Sequence, residues 1–330
     1  MNRPAFRPCV VALVMGAVFI GHVPDTVAAD TWRHGVVEAK GDSGFLFMVE
    51  DGGFAERRGI DLDINQFVSG NTPVRAIVAG ELDSFDGSPV VALAAMAQGA
   101  DIKILGCHWP VMTYTLFSRP EFPTPESLRG QTIGVSVPGS LPALFAIEAL
   151  ASVGLTKDDL IFANAGGSTN RFQAVVAGVV SATAASSEFE VIAENYGVHA
   201  LLRGPTATPN LLRSCLMTSG RNISERRDLV ERFVAARMES IAYALIHRDE
   251  TIALSQKVAG LPADDQTSAF VYDEVIAYSA IDATMPLDIE KIQWALDLMI
   301  REDMIDGAHK AADFTDPSLR EAALARLATH

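Results

Sequence analysis

Residues 132–151 read TIGVSVPGSLPALFAIEALA: a short strand-like run from Thr132 to Val137, a Gly139-Ser140 junction, and an apolar helical stretch. This strand, polar junction and helix recur on both sides of the stretch. Upstream, Trp32 to Ala39 reads as a strand and Gly44 to Arg58 as a helix ended by Gly59. Asp61 to Val68 alternates apolar and polar positions before Thr72-Pro73 opens a helix that Gly80 closes. Ser84 to Asp86 leads into Ser88-Pro89, an N-cap followed by proline at the first helical position, and Asp101 to Cys107 and Met112 to Phe117 are two further strands. Prolines between Arg119 and Pro125 interrupt this first series, and a second runs from Thr132 to about Arg203. Two series of βα units predict an α/β protein of two lobes, each a mainly parallel sheet flanked by helices.

The division expected is 30–116 with 210–330 for lobe 1 and 117–209 for lobe 2. Leu211 to Thr218 reads as one more strand, after which the chain becomes a C-terminal helical extension. Leu229, Val230, Phe233, Val234, Met238, Ile241 and Leu245 recur at three and four, and Ile292, Ala295, Met299 and Ile300 repeat the pattern. These stripes predict packing against lobe 1.

With 49% hydrophobic residues in 330, the chain has enough apolar material for a large core. Its net charge of −15 argues against phosphate-backbone binding, so no nucleic acid partner is expected. Arg3 and Arg7, the apolar run Val10–Ile20 and Val27-Ala28-Ala29 form an export leader over residues 1–29, cleaved near Ala29. Cys9 is badly placed for lipidation. The mature chain keeps Cys107 and Cys215, and two buried thiols are the preferred reading over one disulfide. No metal-ligand spacing is present, and neither a metal nor a cofactor is expected.

Six strand-to-helix junctions carry the functional signal: Asp42-Ser43-Gly44, Ser69-Gly70-Asn71-Thr72, Gly87-Ser88, Gly139-Ser140, Gly167-Ser168-Thr169-Asn170 and Ser186-Ser187. In open α/β sheets the carboxyl ends of the strands form the ligand edge, where helix starts present unpaired N–H groups. The expected ligand-binding set is therefore Asp42, Ser43, Gly44, Ser69, Asn71, Gly87, Ser88, Gly139, Ser140, Ser168 and Ser187. Lys40 and Arg171 join it as cations and Glu188 as an acid. Asp42, Asp86 and Glu188 would meet an ammonium or amide. Phe45, Trp109 and Tyr114 are candidate apolar walls.

The order of Gly44-Phe45-Leu46-Phe47-Met48-Val49-Glu50, Gly53-Phe54, Arg58-Gly59-Ile60-Asp61-Leu62 and Ala79-Gly80-Glu81-Leu82-Asp83 resembles the nitrate/sulfonate/taurine-type substrate-binding proteins of ABC importers. Leu128-Arg129-Gly130-Gln131-Thr132-Ile133-Gly134-Val135 and Ala177-Gly178-Val179-Val180-Ser181-Ala182 extend the likeness, which covers about residues 31 to 245 and reaches thiamine-pyrimidine synthases. The resemblance implies a type II periplasmic-binding-protein fold, hinged on crossing strands Met112–Phe117 and Leu211–Thr218. It also implies a monomeric periplasmic protein that closes on a sulfonate, carboxylate or pyrimidine-like solute and delivers it to an inner-membrane permease, or reports it to a sensor. Where relatives carry Trp-Glu-Pro, this chain has Ser186-Ser187-Glu188-Phe189, which leaves the solute open. The competing reading is a secreted esterase. Gly41-Asp42-Ser43 and Asp306-Gly307-Ala308-His309 resemble the Gly-Asp-Ser esterases, with Ser43 as nucleophile, His309 as base and Asp306 as its orienter.

Overall fold

Strand β1 (Asp30–Val37) pairs in parallel with β2 (Ile60–Phe67) along its whole length, from Asp30 opposite Ile60 to Val37 opposite Phe67. Trp32 and Val36 on β1 are fully buried and set the register against the core. The computed structural model describes residues 29–329. The export leader, up to residue 28, and Cys9 lie outside the described residues. With β3 (Ser84–Gly87), β4 (Ile102–Trp109) and the late β10 (Ser214–Ser219), these strands form a five-stranded sheet in the order β2-β1-β3-β10-β4. Only β10 runs antiparallel to its neighbours.

The second sheet repeats that plan. Its strands are β5 (Tyr114–Ser118), β6 (Thr132–Val135), β7 (Ile161–Asn164), β8 (Ala182–Ser186) and β9 (His199–Arg203), in the order β7-β6-β8-β5-β9. Here β5 is the antiparallel member. Helices α1 (Ser43–Asp51), α2 (Asn71–Val78) and α3 (Pro89–Ala97) follow β1, β2 and β3, while α4 (Leu141–Ala151) and α5 (Ser168–Val176) follow β6 and β7. The fold is thus two α/β lobes with C-terminal helices.

The hinge differs from expectation. Strand β5 lies wholly in the second sheet and β10 wholly in the first, so the chain passes between sheets through residues 110–113 and 204–213 rather than along crossing strands. The two passages press together. A Cβ at Gly204 would fall 2.3 Å from the Met112 carbonyl oxygen, so only glycine allows the contact. Arg213 donates its backbone N–H to the Trp109 carbonyl at 3.1 Å and its Nη1 to Thr113 Oγ1 at 2.6 Å.

The helical extension does more than cover lobe 1. In helix Arg227–Ile246, Leu229, Phe233, Val234, Met238 and Ile241 bury into the cluster that holds Trp32 and Phe45, as the stripe predicts. Helix Ile289–Arg301 instead bridges: Ile292, Ala295 and Met299 share one cluster with α3 and with Leu144 and Phe145 of α4. Arg301 also pairs with Glu148 of α4 at 3.0 Å. No helix among the described residues is long and apolar enough to cross a membrane.

Cys107 and Cys215 form a disulfide between neighbouring strands β4 and β10, which corrects the expectation of two thiols. Sequence spacing carries no sulfur geometry; pairing of the two strands brings the side chains together. The bridge closes a loop of 108 residues that contains the whole second sheet. By chain entropy such a loop is worth about 5 kcal/mol. Denaturant unfolding of Cys215→Ser, or of protein reduced while unfolded, should give a stability lower by about that amount.

Candidate functional site

Between the sheets lies a cavity of about 130 Å³. Five of the six junctions reach it, through Asp42, Ser69 and Asn71, Gly87 and Ser88, Ser140, and Gly167 and Ser168. Apolar walls come from Leu46 and Val91 on one side, and from Leu141 and Pro142 on the other. Trp109 and Tyr114, which flank the first passage between lobes, line it as expected.

The charges fall into three groups. Arg171, on α5 and 2% exposed, spends its Nε on the Ala184 carbonyl at 2.7 Å. Its Nη1 goes to Ser136 Oγ at 2.7 Å and the Gly166 carbonyl at 2.8 Å. All three acceptors are neutral oxygens of its own lobe. No carboxylate among the described residues lies within ion-pair reach of it. Burial lowers its pKa, but a guanidinium keeps its charge. The result is a buried cation beside the cavity with no ion pair, and Glu38, which reaches over from β1 toward the start of α5, is the acid whose charge it feels.

Lys40 and Arg213 share Asp42. The Arg213 guanidinium donates to Asp42 Oδ2, and Lys40 Nζ stands 3.8 Å from the same oxygen. Burial opposes the Asp42 charge, but the two cations overcome it and hold the carboxyl below its ordinary value. The Arg213 guanidinium also stacks 3.8 Å from the centre of the Trp109 ring.

Beneath the cavity, Asp86 accepts from Arg237 Nη2 at 2.6 Å, with His34 Nε2 3.3 Å away and His108 Nδ1 3.8 Å away. Burial disfavours ionised Asp86, yet Arg237 and the two histidines carry its pKa far below the ordinary range. Burial pushes His108 down to about 4, so it is neutral near pH 7. Arg237 also donates Nη1 to the Leu46 carbonyl at 2.8 Å and so ties α1 to β3.

Five expected site residues lie elsewhere. Ser43 is buried, and its Oγ accepts the Lys40 N–H at 2.7 Å as a local turn bond. Gly44 is needed for packing: a Cβ there would meet the Thr251 carbonyl oxygen at 2.1 Å, and its N–H donates to Ser255 Oγ. Gly139 takes a left-handed φ of 76° beneath Met304. Ser187 donates to Glu274 at 2.5 Å, and Glu188 accepts the Gly41 N–H at 2.9 Å. Both therefore bridge the rims of the lobes instead of lining the cavity. Phe45 belongs to the core, stacked on Tyr272.

Conversely, Arg213, Ser214, Ser136 and Glu38 line the cavity without having stood out in the sequence. A charge inside the apolar run Leu211 to Met217 was the available signal for Arg213. The esterase constellation does not assemble. Half-buried His309 turns Nε2 to the Asp306 backbone carbonyl rather than to its carboxylate, while Ser43 is sealed against its own loop.

The NMT1/THI5-like family model matches residues 41–251. None of the curated proteins matches the sequence. Among solved structures, the alkanesulfonate-binding protein SsuA of Xanthomonas axonopodis pv. citri, bound to MOPS, is 21% identical with a TM-score of 0.72, over 88% of this chain and 99% of that one. The periplasmic nitrate-binding protein NrtA of Synechocystis PCC 6803 is 13% identical with a TM-score of 0.69, over 90% and 89%. The desulfurization enzyme DSZB is 16% identical with a TM-score of 0.63, over 90% and 99%. At these identities the likeness is one of fold.

Removing Arg237 would strand the Asp86 charge in a dry interior. Arg237→Met should cost about 3–5 kcal/mol in urea unfolding, and adding Asp86→Asn should restore most of it.

Proposed function

The chain belongs to the NMT1/THI5-like family, and on that premise we propose that it is the extracytoplasmic solute-binding component of an ABC importer. In this reading it is a clamp that captures a small organic anion between its lobes and hands it to a membrane permease. The observation that carries the proposal is Arg171, a buried guanidinium that faces the cavity without a carboxylate partner.

The surrounding chemistry supports an anion. Lys40, Arg171 and Arg213 line the cavity against Glu38, Asp42 and Asp86, and Arg237 stands behind Asp86, which leaves one positive charge in excess. A sulfonate or carboxylate would cancel it. The starts of α4 and α5 carry no side-chain cap and add donors with a positive dipole. Apolar Leu46, Val91, Leu141 and Trp109 suit a short aliphatic or aromatic body.

Binding is favoured over catalysis because five of the six serines lining the cavity are already engaged in local hydrogen bonds. Ser88 Oγ accepts the Val90 N–H, Ser136 Oγ accepts from Arg171, and Ser168 Oγ accepts the Ser186 N–H. No histidine among the described residues lines the cavity to serve as a base. The leader motif supports a periplasmic location, and contacts from both rims support closure on the ligand as the signal that a permease reads.

A thermal-shift panel of methanesulfonate, ethanesulfonate, taurine, propionate and benzoate tests this reading, with a neutral alcohol as control. At least one anion should raise Tm at one equivalent per chain, and Arg171→Gln should weaken its Kd about 10- to 100-fold, the worth of a charged hydrogen bond. Absence of binding across the panel, or an unchanged Kd in Arg171→Gln, would reject the assignment.

A further inference from the structure

The rims of the lobes meet through two carboxyl groups. Glu188, just after β8, accepts the Gly41 N–H of the β1–α1 loop at 2.9 Å, and it is 5% exposed. The contact is tight: a Cβ on Gly41 would lie 2.8 Å from Glu188 Oε2 and 3.2 Å from the Thr267 backbone. One residue earlier, Ser187 donates to Glu274 of helix Thr267–Tyr278. Where the rims meet, Glu188 is thus out of water and has a single N–H donor.

The charged neighbours give it no cation of its own. From the β1–α1 loop Lys40 and Asp42 face it, and from ahead of β10 Arg213 does. Lys40 and Arg213 are both turned to Asp42. Glu274 lies across the Ser187 bond, while Glu190 and Arg203 on the Glu188 side are paired with each other at 2.7 Å. No ion pair to Glu188 exists among the described residues. A buried carboxyl without a counter-ion is favoured in its neutral form.

Resting on the proposed capture of an anion, we infer that closure takes up a proton at Glu188, so that anion and proton are bound together and the grip tightens as the medium acidifies. An ionised Glu188 would cancel the one excess positive charge that the anion needs; a neutral Glu188 leaves it free. Burial, reinforced by Asp42 and opposed by Lys40, the Gly41 N–H and Arg213, moves its pKa from 4.5 up to about 7.

The direction follows from linkage. The closed form has the higher pKa and holds more protons than an open form in which Glu188 is solvated, so closure strengthens as pH falls through about 7 and gains nothing further below 4.5. Between pH 8 and pH 6 this amounts to about a tenfold fall in Kd. His108, already neutral, contributes nothing in that window.

The test measures Kd calorimetrically for the tightest binder of the panel, whose acidic groups are all sulfonates or carboxylates, at pH 8 and pH 6. It also counts protons at pH 7 in two buffers of different ionisation enthalpy. The panel anions keep their charge across this range. The expected result is a tenfold tighter Kd at pH 6 and uptake of about half a proton at pH 7, both lost in Glu188→Gln, which keeps an acceptor for Gly41 but cannot titrate. Binding with no pH dependence and no proton uptake in the wild-type protein overturns the latch and leaves the capture function standing. A pH response that persists in Glu188→Gln also overturns it. Absence of binding at both pH values overturns the capture function and the latch with it.

Discussion

The two passages of the chain between the sheets are bound to each other, and the rest of the molecule is arranged around that contact. Gly204 against the Met112 carbonyl, Arg213 on Trp109 and Thr113, and the Cys107–Cys215 bridge lie within a few residues of one another along the two strands of chain. A single passage would swivel about many bonds. Two passages locked side by side leave mainly one bending motion, in which one sheet tilts toward the other. The same residues form the inner wall of the cavity, because Trp109, Tyr114, Arg213 and Ser214 all flank the passages. The joint between the lobes and the inner cavity wall are thus one short region.

That region must stay rigid while carrying charge. Burying an ion is costly unless a partner offsets its desolvation, and lobe 1 meets this by pairing: Arg213 with Asp42, and Arg237 with Asp86. The Arg237–Asp86 pair supports the floor of the cavity from behind, since Arg237 also holds the Leu46 carbonyl of α1. Lobe 2 follows another rule. Arg171 is solvated by two carbonyls and a hydroxyl, which fix its position without neutralising it. Lobe 1 thus pairs its buried arginines, while lobe 2 holds one with no carboxylate bound to it, and Glu38 of lobe 1 is the acid whose charge reaches it.

Most of the fold was legible in the sequence because strand–junction–helix units are written in local chemistry: alternation for β2, Ser88-Pro89 at the start of α3, and glycines that stop helices. Five of the six junctions do line the cavity, since unpaired N–H groups at helix starts collect at one sheet edge. The residues that do not are those whose type serves two ends. Gly44 and Gly139 are present for close packing and a left-handed turn, and Ser43 closes its own loop. Sequence offers no means of separating a glycine that approaches a ligand from one that approaches a helix. The disulfide was illegible for a related reason, as it depends on β10 returning beside β4 after 108 residues. Arg213 was missed because an arginine in an apolar run resembles an edge residue, whereas it ends the second passage, just ahead of β10, an interior strand of the sheet.

Glu188 and Ser187 occupy a position with its own logic. They follow β8, the central strand of the second sheet, at the same topological place that Gly87 and Ser88 occupy after β3 in the first. Yet Gly87 and Ser88 line the cavity while Ser187 and Glu188 reach past it to Gly41 and Glu274. The chain after β8 forms a 3-10 turn, Ser187–Phe189, where the other junctions lead directly into longer helices. The departure in sequence at 186–189 thus turns one of six strand-to-helix junctions into a contact between lobes, and it places a buried carboxyl group where the rims meet.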